Sequence, residues 1–297
     1  MTPQQGLDEG IRRIDEHFSS CIGEIVTEHP PELFHYTSIE GLLGILTKGS
    51  FYASDILSMR DQSEFRHGVV LAKTVIAELF TATNHSIAGS MLKVFETHPM
   101  LGVGKTTFFH AVCFCSKIDV LTQWQAFSST GGFALGLDFN KVEQSQPSMK
   151  FILAKMLYGL KEQDDLVRRV IKNGIHVFDD LGGSMIGSPS HLDQFVLRLG
   201  VTLYNSICRF KHPCFHSEEE WRILTSEFDN SNAVKPNFRA SGRSLVPYRE
   251  LSIDPSWITR LIRSPGAWPE NHRYSVERLA RSLGGNVMVQ VSDLPFI

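Results

Sequence analysis

The sequence predicts an α+β fold, and three observations predict it. Helical and strand-like segments are mixed along the 297 residues without the strict βαβ alternation of a doubly wound sheet. The run at 108–114 is rich in β-branched and aromatic residues, and a further strand-like run at 133–139 follows a Gly131-Gly132 turn. Long helical segments fall at 7–27, ahead of the first strand, and as a consecutive pair within 160–209. No internal repeat or low-complexity linker divides the chain. The simplest organisation is therefore one domain over 1–297, with an N-terminal amphipathic helix inside 1–30 and an α+β core over 31–297.

The elements follow in order. Leu7, Ile11, Ile14, Phe18, Cys21, Ile22 and Ile25 recur at three- and four-residue steps, which predicts the first helix, and His29-Pro30-Pro31 ends it. A strand at 33–38 runs into a helix at 39–46, with Thr37 or Ser38 as N-cap and Gly49 as C-cap. Phe51-Tyr52-Ala53-Ser54 is a short second strand; the polar stretch to Arg66 reads as a loop, and a helix over 68–81 follows. Residues 108–114 are a strand and 122–127 a helical patch, after which Gly131-Gly132 turns into the strand at 133–139. Another strand is expected at 151–158, then two helices within 160–209 joined by a loop over 182–190. Strands at 220–224, 245–251, 258–263 and 287–291 complete the reading.

Composition narrows the function classes. Apolar residues make up 42% and charged residues 21%, values of an ordinary globular chain. A net charge of −3 supplies no global basic field for nucleic acid or anionic lipid. No window approaches the roughly 18 consecutive apolar residues of a membrane span, and the charged N-terminus lacks a signal-peptide core, so a soluble cytoplasmic protein is expected. Five irregularly spaced cysteines fit a reducing compartment better than a disulfide framework.

The most informative stretch is Leu33-Phe34-His35-Tyr36-Thr37-Ser38, which places three polar side chains inside a strand that otherwise reads as buried. Unpartnered polar atoms are costly there, so His35, Tyr36 and Thr37 need either structural partners or a ligand. A second candidate is Glu218-Glu219-Glu220-Trp221-Arg222. If the strand begins near Glu218, a period of two puts Glu218, Glu220 and Arg222 on one face and Trp221 and Ile223 on the other. Two adjacent carboxylates raise at least one pKa unless a cation intervenes. Arg222 is the cation at hand, and a solvated ion pair is the plain structural alternative.

Other signals are weaker. Cys208, His212, Cys214 and His216 have metal-capable types, but a linear cluster with one-residue gaps matches structural zinc poorly, and no metal is expected. Gln123-Trp124-Gln125-Ala126-Phe127-Ser128 followed by Thr130-Gly131-Gly132 joins amides, hydroxyls and an aromatic to a glycine turn, without a dinucleotide or phosphate-loop fingerprint. Asp61 and Glu64 read as a turn and helix-capping pair.

Taken in order, FHYTSIEGLLGIL, FYASDILSMRDQSEF, FCFCSKIDVLTQWQAF running to GGFALGLDF, and KHPCFHSEEEWRIL resemble the bacterial family catalogued as domain of unknown function 2971, over residues 32–262. Where that family reads Asn-Asp-Pro-x-Glu-Phe, this chain has Arg60-Asp61-Gln62-Ser63-Glu64-Phe65. The block layout is in turn similar to that of ADP-ribosyltransferases. That similarity implies two small antiparallel sheets forming a split cleft with flanking helices, and NAD as co-substrate. It implies His35, Tyr36, Thr37, Tyr52, Ser54 and Trp124 as NAD-binding residues, with Glu220 and Glu218 catalytic. Glu220 would stabilise positive charge at the ribose as the nicotinamide bond breaks, and Glu218 would orient or deprotonate the acceptor. His35 would hold ribose hydroxyls, Tyr36 or Tyr52 would stack on nicotinamide, and Trp124 would close the pocket. The implied activity is ADP-ribosyl transfer to a protein or nucleic-acid acceptor, as in a bacterial toxin or antiphage effector. Hydrolysis of NAD or another nucleotide, and nucleotide binding without turnover, are the alternatives.

Overall fold

The computed structural model describes residues 2–59, 62–97, 107–127, 131–185, 189–228, 237–241, 244–266, 268–284 and 287–295. Arg60, Asp61, Ser128, Thr130 and the centre of the expected 182–190 loop lie outside the described residues.

The chain is α+β, with helices flanking one mixed, open sheet. Its strands are β1 (Glu32–Ser38), β2 (Ser50–Asp55), β3 (Thr107–Cys115), β4 (Gly132–Asp138), β5 (Ile152–Lys155), β6 (Glu220–Phe228), β7 (Asn237–Ser241), β8 (Ser244–Ser252), β9 (Ile258–Arg263) and β10 (Met288–Val291). The order is β10-β9-β4-β1-β3-β2-β8-β7, with β6 paired to β3 and β5 outside β6. Strands β9 and β10 run parallel. The hydrogen bonding is continuous, so the strands form one sheet rather than the two separate sheets expected.

That sheet forks at β3. One edge of β3 pairs with β6 from Thr107 to Cys115. The other edge is shared: Cys115 faces Phe34 of β1, while Ala111 and His110 face Ser54 and Asp55 of β2. Residues 112–114 thus lie where β1 and β2 part, and their backbone groups on that edge lack a strand partner. Backbone polar groups away from water need partners, and a side chain from β1 supplies one, as described below.

Two main cores cover the sheet. On one face, α1 (Pro3–Ile25), α3 (Gln62–Thr83), α4 (Ser86–Thr97), α8 (Leu160–Met185) and α9 (Pro189–Ile207) pack with Phe109, Ala111 and Leu224. On the other, α2 (Ile39–Lys48), α6 (Phe139–Gln144) and α10 (Glu270–Ser282) contribute Leu42, Val142 and Val276 to a core with Val112, Phe114, Trp221 and Ile223. The alternation along β6 is the one read from sequence, with Trp221 and Ile223 buried together. Among the described residues, no helix is long and apolar enough to cross a membrane.

Local chemistry sets the boundaries. Thr2 and Gln5 form a reciprocal capping box that starts α1. Ser38 Oγ accepts from Gly41 N–H at 3.1 Å to start α2, and Gly49, at φ 63°, closes it. The short α5 (Leu121–Phe127) docks through Trp124 on a third, smaller core with Phe34, Tyr36 and Cys115, and α7 (Gln146–Met149) follows α6. One boundary differs in a way that matters. The stretch expected as a loop up to Arg66 is already helical from Gln62, so Glu64 sits in the first turn of α3. Gly68, one turn on, lets α3 approach α9 closely: a Cβ there would meet Ile207 Cγ2 at 2.6 Å.

Candidate functional site

A cavity of about 420 Å³ opens at the fork, between β1, β3, β6, α5 and the start of α3. His35, Tyr36, Glu218 and Glu220 all line it, so the structure brings the two ends of the predicted site together. Phe34, Phe114, Phe127 and Phe215 supply apolar walls.

His35 is fixed by the fork. Its Nδ1 lies 2.9 Å from the Cys113 carbonyl, which can only accept, so Nδ1 carries the proton and Nε2 is the accepting nitrogen. The imidazole thereby partners one of the β3 groups at the parting of β1 and β2. Its ring packs edge-on to Phe51 at 5.1 Å and tilts against Phe114 at 5.7 Å. Burial holds its pKa below the ordinary value despite the Cys113 bond, and Arg239 pushes the same way; the ring is neutral at pH 7.

The acidic end is a five-member ion cluster. Lys211 Nζ donates to Glu218 Oε2 at 2.6 Å and Glu220 Oε2 at 2.5 Å, and lies 3.3 Å from Glu64 Oε1. Arg222 Nε donates to Glu220 Oε1 at 2.6 Å, and its Nη2 donates to Glu64 Oε2 at 2.8 Å. Burial raises the Glu220 pKa, but Arg222 and Lys211 outweigh it and bring it down to about 2. Burial lowers the Lys211 pKa, but Glu220, Glu64 and Glu218 more than reverse this, so the ammonium stays charged. Three carboxylates against two cations leave one net negative charge on the cavity wall. This is a buried network rather than a solvated face: Glu220 and Arg222 are 5% and 4% exposed.

Glu218 reaches that cluster differently from expectation. Strand β6 begins at Glu220; Glu218 ends a 3₁₀ turn over Pro213–Glu218, and Glu219 takes a left-handed conformation at φ 41°. The backbone turn, not a shared strand face, aims both carboxylates at Lys211. The segment around Lys211 is itself anchored, because the Gln163 amide donates to the Lys211 and Leu157 carbonyls at 2.9 and 2.7 Å. Tyr158 Oη accepts from Glu220 N–H at 2.8 Å.

Other predicted residues lie elsewhere. Thr37 turns its hydroxyl toward Gly41 at the start of α2 and is outside the cavity lining. Tyr52 stacks on Tyr248 at 4.1 Å with Lys48 over its ring, and Ser54 Oγ accepts from Arg239 Nη2 at 2.8 Å; neither lines the cavity. Trp124 is a buried anchor rather than a closing lid: its indole N–H donates to Asp119 Oδ1 at 2.8 Å, and its ring meets Tyr36 edge-on at 4.7 Å. Its helical neighbours Thr122, Gln123, Ala126 and Phe127 line the cavity instead. Glu64 was missed as a site residue because its contacts with Lys211 and Arg222 span more than 140 positions, and Lys211 because its role depends on burial and on the turn that brings Glu218 and Glu220 to it. Of the residues with metal-capable types, Cys208 is buried, His212 Nδ1 lies 2.9 Å from Cys214 Sγ, and His216 packs edge-on to Tyr158. Among the described residues, no three His, Cys, Asp or Glu side chains are grouped to hold a metal.

A family model described as a protein of unknown function, DUF2971, matches residues 123–223. The match is narrower than the blocks over 32–262; it includes Lys211, Glu218, Glu220 and Arg222 and stops short of His35 and Glu64. No curated protein and no solved structure matches the chain.

Proposed function

We propose that the cavity binds the nicotinamide–ribose part of NAD and promotes ADP-ribosyl transfer to a macromolecular acceptor. The observation that carries this reading is the presence of His35, neutral at pH 7, and Glu220, ionised at pH 7, in the lining of one cavity. Its volume of about 420 Å³ is within the range of small-molecule sites, roughly 300–1,000 Å³, and suits a nucleoside-sized unit rather than a whole dinucleotide. Nicotinamide in NAD is cationic, and positive charge moves to the ribose as its bond breaks. A wall with one net negative charge, set among apolar rings, favours both states. Glu220, held at a pKa of about 2, acts electrostatically and moves no proton. His35 Nε2 accepts from a ribose hydroxyl, and Tyr36 offers a ring edge. The fork at β3 plays the part of the split cleft.

A second reading, nucleotide binding without turnover, is favoured by one observation. Both Glu220 oxygens already accept from cations, Lys211 and Arg222. Incubation with NAD labelled in the nicotinamide and adenylate halves separates these readings. Transfer predicts free nicotinamide and adenylate label on macromolecule; hydrolysis predicts free ADP-ribose. Saturable binding with neither product identifies the binding module. A folded Glu220→Gln variant that releases nicotinamide as fast as the parent removes Glu220 from the chemistry.

A further inference from the structure

Gln123 lines the cavity yet takes no part in the ion cluster. It is held on a rigid support. The next residue, Trp124, is 3% exposed and locked by Asp119 and Tyr36. Tyr36 Oη in turn donates to the Lys117 carbonyl at 3.3 Å and accepts from Val120 N–H at 3.1 Å, tying the entry to α5 back to β1. The Gln123 backbone N–H is used within the helix start, on the Val120 carbonyl at 3.1 Å. Its side-chain amide meets no hydrogen-bond partner among the described residues, although the residue is half-buried. A primary amide offers two donors and one acceptor, which a ligand of complementary pattern can engage in place of water.

The neighbouring charge restricts which ligand matches. The cluster of Glu64, Glu218, Glu220, Lys211 and Arg222 carries one net negative charge and disfavours an anionic group in the same cavity. A neutral primary amide is the group that pairs reciprocally with Gln123, giving one N–H and taking one C=O. A carboxylate of the same shape has no donor to return.

Building on the NAD reading above, we propose that Gln123 is a specificity-determining residue that reads the carboxamide of the nicotinamide ring and, with the negative cluster, rejects the carboxylate analogue. The test is titration of the full chain and its Gln123→Met variant with NAD, with the nicotinic acid counterpart of NAD, and with ADP-ribose, which lacks the ring. The parent is expected to bind NAD at least about tenfold tighter than the acid counterpart, the scale of one well-made hydrogen-bond pair to a buried polar group. Gln123→Met should lose most of that ratio through weaker NAD binding, while its affinity for ADP-ribose stays at the parent value. A variant that keeps the parent's ratio overturns the inference and leaves the NAD reading standing. Equal loss of ADP-ribose binding shows a structural role for Gln123 and also overturns it. A parent that binds none of the three removes the NAD reading, and the inference with it.

Discussion

Glu218 and Glu220 accept from the same ammonium, Lys211 Nζ, at 2.6 and 2.5 Å, although one ends a 3₁₀ turn and the other begins β6. The left-handed Glu219 between them folds the backbone so that the two carboxylates converge. With Glu64 also 3.3 Å away, Lys211 is the cation on which three acids depend.

Replacing that cation should be severe. Lys211→Met leaves three carboxylates facing Arg222 alone in a buried setting, and removing one member of a buried ion network costs about 3–5 kcal/mol. Urea denaturation should show this as a loss of midpoint with an unchanged slope. Adding Glu220→Gln to Lys211→Met should recover part of the loss. A single variant within about 0.5 kcal/mol of the parent would contradict the network's role.

The same cluster sets an acid limit on stability. Glu220 falls from an ordinary 4.5 to about 2 in the folded chain, so the unfolded chain takes up the proton first as pH drops. Its contribution is full above about 4.5 and is lost as pH falls toward about 2. Denaturation midpoints measured across that window should decline in the parent and decline less in Glu220→Gln. Parallel curves for the two proteins would rule out Glu220 as a main source of the decline.

His35 should stay neutral below the pH at which an ordinary histidine titrates. Its folded pKa is lowered from 6.5 by burial, so the unfolded chain binds the proton first and the stabilising contribution, present above 6.5, weakens as pH falls below it. Imidazole ¹⁵N shifts report the tautomer directly. They should show a protonated Nδ1 and a bare Nε2 at pH 7, with the second protonation setting in at lower pH than in the unfolded chain. Protonation of Nε2 near pH 6.5 would break the assignment.

The helix packing that presents Glu64 can be tested apart from any charge. Gly68 lies one turn beyond Glu64 on α3, and a Cβ there would come within 2.6 Å of Ile207 Cγ2 and 3.2 Å of Phe210 Cδ2. Gly68→Ala must push α3 away from the end of α9, near which Lys211 is carried. Overpacking of this kind costs roughly 1–3 kcal/mol, against a gain of less than about 1 kcal/mol in helix propensity. A thermal midpoint above the parent's would show that the helices have slack.

Much of this architecture was legible because it is local. The polar run His35-Tyr36-Thr37, the Ser38 and Gly49 caps and the alternation of Trp221 and Ile223 each follow from neighbours within a few residues. What was not legible is non-local or atypical. Helix α3 begins with Gln62-Ser63-Glu64, whose polarity reads as loop until Phe65 and Val69 are seen in the core. Helix α10 is polar apart from a narrow stripe including Val276 and Ala280, too thin to stand out. The forked placement of β1 and β2 on one edge of β3 depends on pairings 55 to 81 residues apart, which no periodicity encodes. Lys211 was unremarkable as a sequence letter and became central only once burial set it among three acids.

The two catalytic candidates should fail differently when neutralised. Glu220 is buried, with both oxygens on cations, whereas Glu218 gives Lys211 one oxygen and is the more exposed, its side chain at 22% against 7% for Glu220. On the transfer reading proposed above, an acceptor hydroxyl or amine entering from solvent meets Glu218 first. Glu218→Gln keeps a carbonyl oxygen for Lys211, so stability should change by less than about 1 kcal/mol, the scale of a single hydrogen bond. If Glu218 deprotonates the acceptor, its loss slows transfer by a factor of about 10²–10⁴ while NAD cleavage continues into water. Double-labelled NAD should then show nicotinamide release with adenylate label shifted from macromolecule to free ADP-ribose. Glu220→Gln should instead lower both products together, because it weakens the field that favours bond breaking in either route. The reverse pattern would exchange the roles of the two carboxylates, and equal partition in both variants would leave Glu218 as a partner of Lys211 alone.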